Sequence, residues 1–280
     1  MPQPYIIPSS IREQFTCALY DSDVSTVRRC SKDYPELLHL PVFAQHQTPF
    51  DFVTLTGRLE MARLFLELGV NVQMGCPLMN AVTDRNLPMV HLLLQHRADV
   101  NATDLDGRTP LFEAVSWNHP SLIRLLIQQG AEVNHREHLL GLTPLLFAVV
   151  HKRVAAVETL LQCPDLDVNA PNATGHTALH LNCQENPNGW RLEPKRLQIL
   201  QLLLQHPSLK IDSTRDNVTA LESSVRNGYR EYVRLLLQHD ANPFRCRDHF
   251  ALQMACQERS IDMIYEIVRS FPWICIRPKE

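Results

Sequence analysis

No run of this chain approaches the roughly 18 apolar residues that cross a bilayer, and the opening MPQPYIIPSS has neither the basic start nor the apolar centre of a secretory signal. The expectation is a chain of the cytoplasm, the nucleus or both, without a membrane partner. Its formal charge is only -3. It therefore lacks the basic field that holds phosphates by counterion release, and nucleic acid is not an expected partner. The eight cysteines include no CxxC pair, and in a reducing compartment they read as small buried hydrophobes. Cys246, His249 and Cys256 have metal-ligand side chains, but their spacing is not that of a closed zinc site and no fourth ligand is near in sequence. No Walker loop, HExxH or GxSxG occurs, and no nucleophile, base and orienting group are arranged to converge. No enzyme, metal or cofactor is expected.

What is present is repetition. The phrase DGRTPL at 106 to 111 returns as LGLTPL (140 to 145), TGHTAL (174 to 179) and DNVTAL (216 to 221). Aligned on the threonine, the phrases start at Thr48, Thr109, Thr143, Thr177 and Thr219, with weaker starts at Cys76 and Phe250, and most spacings fall between 31 and 34. A period near 33 marks a stacked helical array, in which one unit cannot bury its apolar face alone and neighbours in register bury a continuous core. A hydrophobic content of 45% over 280 residues is enough for such a core.

The unit TDLDGRTPLFEAVSWNHPSLIRLLIQQGAEVN (103 to 134) shows how the pattern works. Thr109 is expected to cap a helix over roughly 110 to 117 through its hydroxyl, and Pro110 suits a first helical position that needs no amide donor. A second helix begins near Pro120 with Leu122, Ile123, Leu125, Leu126 and Ile127 apolar on two sides. Gly130 ends it, and the Asp and Gly residues that follow suit a hairpin.

GRTPLFEA, LLIQQGAEVN, LLLQHRADVNATD and GHTALH resemble the ankyrin repeat over roughly residues 10 to 272, and seven aligned units make the resemblance specific. It implies an all-α solenoid of helix-turn-helix units with β-hairpin fingers, about seven repeats plus a degenerate N-terminal cap, in one domain over 1–280. The cap covers 10–40 and the repeats 48–73, 76–102, 109–135, 143–170, 177–213, 219–244 and 250–273. The finger before repeat two is missing or vestigial, and repeat five carries an insertion over 185–195 between its helices. The last repeat has Gln, Glu, Asp and Arg on what would be a stacking face, as a terminal cap turned to water requires. That polar end suits a monomer.

In such a protein His96, His206 and His239 close LLLQH helices and complement the helix dipole. By resemblance, His180 hydrogen-bonds to the neighbouring hairpin. Asn101, Asn134 and Asn169 stand where the family's asparagines brace the hairpin, and where an asparaginyl hydroxylase can modify them. An added oxygen in the intact mass after co-expression would detect that modification.

The family's partner surface consists of hairpin tips and exposed positions of the first helix, which line a concave face. The positions that match are Thr103, Leu105, Asp106, Arg108, Ser116 and Trp117 in repeat three, and Leu139, Leu142, Val150 and His151 in repeat four. Repeat five contributes His176, Gln184 and Glu185, with Trp190 in its insertion, and repeat six contributes Arg215 and Arg226. Trp and Arg are enriched at interface hot spots. The resemblance therefore implies a non-catalytic scaffold or adaptor for a protein partner. An alternative is the substrate-recognition subunit of a cullin-RING ubiquitin ligase, since a related ankyrin class ends in an elongin-binding SOCS box. Leu252 and Cys256 match that box's spacing and Ser260 does not. A further alternative is a cytoplasmic inhibitor of a transcription factor.

Overall fold

A proline at the first helical position starts the short helices Pro49–Leu55, Pro77–Thr83, Pro110–Ser116 and Pro144–Val150, where its missing amide hydrogen costs nothing. The computed structural model describes residues 7–40, 48–184, 194–245, 251–257 and 261–270, and among them helices come in pairs, a first and a second, with no strand. The pairs are α1 Ser9–Asp21 with α2 Val24–Asp33, α3 Pro49–Leu55 with α4 Leu59–Glu67, α5 Pro77–Thr83 with α6 Leu87–Gln95, and α7 Pro110–Ser116 with α8 Pro120–Gln128. They continue as α9 Pro144–Val150 with α10 Val154–Leu161, α11 Ala178–Cys183 with α12 Pro194–Leu204, α13 Ala220–Arg226 with α14 Arg230–Gln238, and α15 Ala251–Gln257 with α16 Ile261–Ser270.

The chain divides into two compact units, Met1–Ala114 with Arg124–Ala131, and Val115–Ile123 with Glu132–Glu280. In the first, α3 packs on α5, while α2, α4 and α6 pack in series. Its core holds Phe15, Leu19, Phe50, Phe65 and Leu93, with the Phe50 and Phe65 rings stacked 6.0 Å apart. In the second, α9, α11, α13 and α15 form one series and α10, α12, α14 and α16 another. Leu179, Leu200, Val233, Leu236 and Ile267 fill the space between them. First helices therefore contact first helices and second contact second, the stacking that a repeat near 33 requires.

The threonine caps vary. Thr48 and Thr219 each build a reciprocal capping box, with Asp51 and Glu222, and the Thr143 hydroxyl accepts from the Leu146 amide at 3.3 Å. The cap expected at Thr109 is not made. The Phe112 amide donates instead to the Thr109 carbonyl at 2.9 Å, which leaves the buried hydroxyl without a hydrogen bond. The expected hairpin fingers also lack ladders: among the described residues the only β-bridge joins Arg215 and Val218. The other fingers are five or six residues long and close on side-chain acceptors, too short for a second pair of rungs. Of the polar residues in the last pair, Glu266 is 9% exposed and takes a 3.3 Å bond from Arg230. It faces α14 rather than water.

Four second helices, α4, α6, α8 and α14, are followed by a left-handed residue, and the chain has only nine glycines in all. Gly69 and Gly130 take that position with φ of 81° and 89°, but Arg97 and Asp240 do so at 61° and 63°. The following amides of Ala98 and Ala241 each bond back to the carbonyl five residues earlier, at 3.0 Å, in the Schellman arrangement. A side chain costs about 1–2 kcal/mol in this conformation, and glycine returns part of the difference as chain entropy. Arg97→Gly is therefore expected to raise stability by about 0.5–1 kcal/mol, read as a higher thermal midpoint. An unchanged or lower midpoint would show that the Arg97 side chain makes up the strain.

Candidate functional site

Three of the finger tips are each organised by one acceptor side chain. In the tip 104–108 the Asp104 carboxylate accepts from the amides of Asp106 (3.0 Å) and Arg108 (2.8 Å), and the Asp104 amide donates to the Arg108 carbonyl at 3.0 Å. In 172–176 the Asn172 Oδ1 accepts from the Thr174 and His176 amides at 3.1 and 2.8 Å and from the Thr174 hydroxyl at 2.9 Å. The tip 137–142 is one residue longer, and its acceptor is one methylene longer. Glu137, 4% exposed, receives the amides of Leu139, Leu140 and Leu142 at 2.7, 2.7 and 2.9 Å. The Ala173 amide then donates to the Leu140 carbonyl at 3.0 Å, tying this tip to the next. A Cβ at Gly141 would stand 2.9 Å from that same amide nitrogen, so the approach needs glycine. The tip 215–218 is a two-residue turn with Asp216 and Asn217 both left-handed, φ 51° and 59°, the conformation of a type I′ turn.

Below the tips runs a set of amide braces. Asn101 donates to the Gly130 carbonyl at 3.2 Å. Asn134 donates to the Asp165 carbonyl (2.7 Å) and accepts from the Asp167 amide (2.9 Å), and Asn169 does the same with Ser208 and Lys210 at 2.7 and 2.8 Å. Sequence reading found these three. It missed Gln73, which spans Arg97 and Asp99 at 2.6 and 2.9 Å, and Asp212, which accepts from the Asn242 amide at 2.8 Å. The position relative to the preceding helix was their available signal. Arg196 was missed too. From α12 it donates to the Leu181 and Gln184 carbonyls, both at 3.1 Å, closing the end of α11.

The expected partner residues divide in four ways. Thr103, Leu105, Asp106, Trp117, Leu139, Val150, His151, Gln184 and Arg226 are exposed, Leu105 fully and Leu139 at 66%. Arg108, Ser116, His176 and Arg215 are half-buried. Leu142 is a correction. It is 6% exposed, because Glu137 draws its amide inward and the side chain follows into the core, so it presents nothing to a partner. Glu185 and Trp190 lie outside the described residues, as do Cys246, His249 and Ser260. Leu252 packs against the core of the second unit as part of α15.

Four of the expected residues come together in one cleft. His176, Gln184, Arg215 and Arg226, with His180, Asp216, Val218, Ser223 and Asn227, line about 350 Å³. Its hydrogen bonds fix the tautomer of His176. The Arg215 guanidinium can only donate, so at 2.9 Å from Nη1 the His176 Nε2 must be the acceptor. The proton then sits on Nδ1, which donates to the Thr174 hydroxyl at 2.8 Å, and that hydroxyl donates onward to Asn172. Burial first, and then Arg215, hold His176 below the ordinary histidine pKa. His180, 4% exposed, is lowered mainly by burial, against which weak hydrogen bonding to the Val218 and Ser213 backbone of the neighbouring hairpin acts. Its Nδ1 lies 2.9 Å from the Thr177 hydroxyl, while its Nε2 makes no hydrogen bond of ordinary geometry.

Both folded pKa values lie below the ordinary 6.5, so the unfolded chain binds these protons first. The stabilisation is present above 6.5 and is lost as pH falls through the folded values. The unfolding midpoint is expected to drop as pH falls below the ordinary histidine value of 6.5, with a shallower slope in His180→Gln. Identical slopes would contradict the assignment.

A family model described as ankyrin repeats (3 copies) matches residues 52–137. The SMC5-SMC6 complex localization factor protein 1 of Homo sapiens is 30% identical over 105 residues, 38% of this chain and 9% of that protein, and its Bos taurus counterpart gives the same values. The chain thus spans only a small part of the length of these curated relatives. The crystal structure of the ankyrin repeat domain of Bcl-3, described as a unique member of the IkappaB protein family, aligns with a TM-score of 0.62 at 30% identity, covering 71% of this chain and 87% of that one. Helix pairs stacked first on first and second on second, Thr-Pro helix starts, amide braces and these three likenesses agree, and the chain belongs to the ankyrin-repeat proteins.

Proposed function

We propose that this chain is a non-catalytic scaffold or adaptor that holds a protein partner through its finger tips and the adjoining ends of its first helices. Ankyrin repeats are protein-interaction modules, and one observation supports that use here: large apolar side chains stand out from tips whose backbone is already fixed and from the end of the first helix α7. Leu105 is 101% exposed, Leu139 66%, Leu140 58% and Trp117 46%. Fixed apolar anchors bind at a low ordering cost, because the loop entropy is lost in folding rather than on association. The protein works in this reading as a monomer in the cytoplasm or nucleus.

The test is affinity purification of the tagged protein from cells beside the double variant Trp117→Ala, Leu139→Ala, with thermal unfolding confirming that both baits are folded. A partner recovered by the wild type and lost from the variant is the expected result. Equal recovery by both would move the interface elsewhere, and no partner at all would contradict the scaffold reading. The likeness to the Bcl-3 domain favours a second reading, an inhibitor that retains a transcription factor, and such a factor in the eluate would identify it. Elongin and a cullin in the eluate would support the substrate-recognition subunit of a ubiquitin ligase instead. Hydroxylation of Asn101, Asn134 or Asn169 would require each amide to leave its brace first, and an added oxygen in the intact mass would detect it.

A further inference from the structure

Within the second unit, the cleft between the tips 172–176 and 215–218 and the end of α13 differs in kind from the apolar tips. Two guanidiniums, Arg215 and Arg226, face it against a single carboxylate, Asp216. This is a local reversal of sign on a chain whose formal charge is -3. Arg226 is exposed in the last turn of α13 and has no acidic partner among the described residues. Arg215 is held in place: its Nε bonds the Thr174 carbonyl at 3.1 Å and lies 3.0 Å from Asp216, while Nη1 bonds His176. Its Nη2 is left uncommitted. The relay from Arg215 through His176 and Thr174 to Asn172 works only with His176 neutral, so the imidazole serves as an acceptor that fixes the guanidinium and adds no charge. Gln184 and Ser223 add neutral donors around the same space. A volume near 350 Å³ suits one or two side chains rather than a folded surface.

We propose that this cleft receives an aspartate or glutamate side chain from an acidic, extended segment of the protein partner, its carboxylate bridging Arg215 and Arg226. The inference rests on the scaffold reading for the partner and adds the chemistry that this part of the surface selects. A preorganised fork favours a planar carboxylate. With Asp216 beside Arg215 and His176 neutral, the two guanidiniums leave one net positive charge in the cleft, which a single carboxylate neutralises.

The experiment is fluorescence anisotropy of the full chain with a labelled Glu-Ser repeat peptide, its Gln-Ser counterpart and a phosphoserine version. The expected result is binding of the Glu peptide only, weakening as salt rises, and weakened about tenfold or more by Arg226→Ala and by the charge-conserving Arg215→Lys. Arg226 is exposed and makes no bond the fold needs, so its variant reports on binding rather than folding. Absence of Glu-peptide binding, equal binding of the Gln peptide, preference for the phosphoserine peptide, or indifference to Arg226→Ala would each overturn the assignment. The scaffold reading is judged separately by the Trp117 and Leu139 variant. A partner that depends on those residues while the Glu peptide fails to bind leaves the scaffold standing and removes only the cleft.

Discussion

Glu137→Ala is expected to unfold the tip 137–142 locally and to lower stability by about 2–4 kcal/mol. The carboxylate receives three backbone amides, and such charge-assisted bonds are worth about 1.5–3 kcal/mol each when the donors have no other acceptor. Two of the donors, at Leu139 and Leu140, belong to exposed residues and can turn to water once the carboxylate is gone. The third, at Leu142, is buried with its residue at 6% exposure and cannot. The sum is therefore discounted to little more than the buried bond and the ordering of the loop. Hydrogen exchange in 138–142 should accelerate strongly in the alanine variant, while the amides of α10 stay protected. Glu137→Gln keeps one acceptor oxygen and should fall between the two. If the tip exchanged as slowly in Glu137→Ala as in the wild type, the carboxylate would not be what holds Leu139 and Leu140 outward, and the argument for a preformed apolar tip would fail.

Tyr232→Ala is expected to cost about 3–5 kcal/mol, a large share of the stability of an ordinary domain, whereas Tyr232→Phe should stay within about 1 kcal/mol. The ring is 1% exposed, lies 5.4 Å from that of Tyr229, and fills the core of the second unit with Leu179, Leu200 and Val233. Its hydroxyl contributes far less: neither it nor the neighbouring Asn182 Oδ1 makes a hydrogen bond of ordinary geometry. Burial raises the Tyr232 pKa above 10.0 and pushes the Cys183 thiol up to about 11. For both groups the folded value exceeds the unfolded one, so their contribution is complete below the unfolded pKa and is lost as pH rises through the folded values. The alkaline loss of stability should be smaller in Tyr232→Phe than in the wild type. Denaturant unfolding of the two variants side by side checks the ranking, and equal costs for Ala and Phe would mean that the hydroxyl, not the ring, matters.

The repeat was legible because periodicity is a local signal. The helix starts at Pro110 and Pro144, the left-handed Gly130, and the bracing role of Asn134 all follow from residue type and position alone. What the sequence hid depends on which partner an amide or hydroxyl finds across a loop. Thr109 and Thr143 occupy the same place in the phrase, yet only Thr143 caps, because the Phe112 amide turns to a backbone carbonyl. Leu142 and Leu139 read alike as tip leucines, and only the inward pull of Glu137 separates a core residue from an exposed one. Glu137 carries no signal of its own in the sequence, and its role emerges only beside Asp104 and Asn172 at the corresponding positions. The cleft joins residues of two repeats, His176 and Gln184 with Arg215 and Arg226. Each was expected to meet a partner, but the tautomer of His176 and the restraint it places on Arg215 require the distances.

The central claim is that fixed finger tips, rather than the second helices, carry partner binding. Its most direct test is hydrogen exchange of the full chain alone and with the partner recovered in the affinity purification. The account predicts added protection at 104–108, 137–142, 172–176 and 215–218 with little change in α10, α12 and α14. Protection confined to those second helices, with the four tips exchanging as in the free protein, would contradict it.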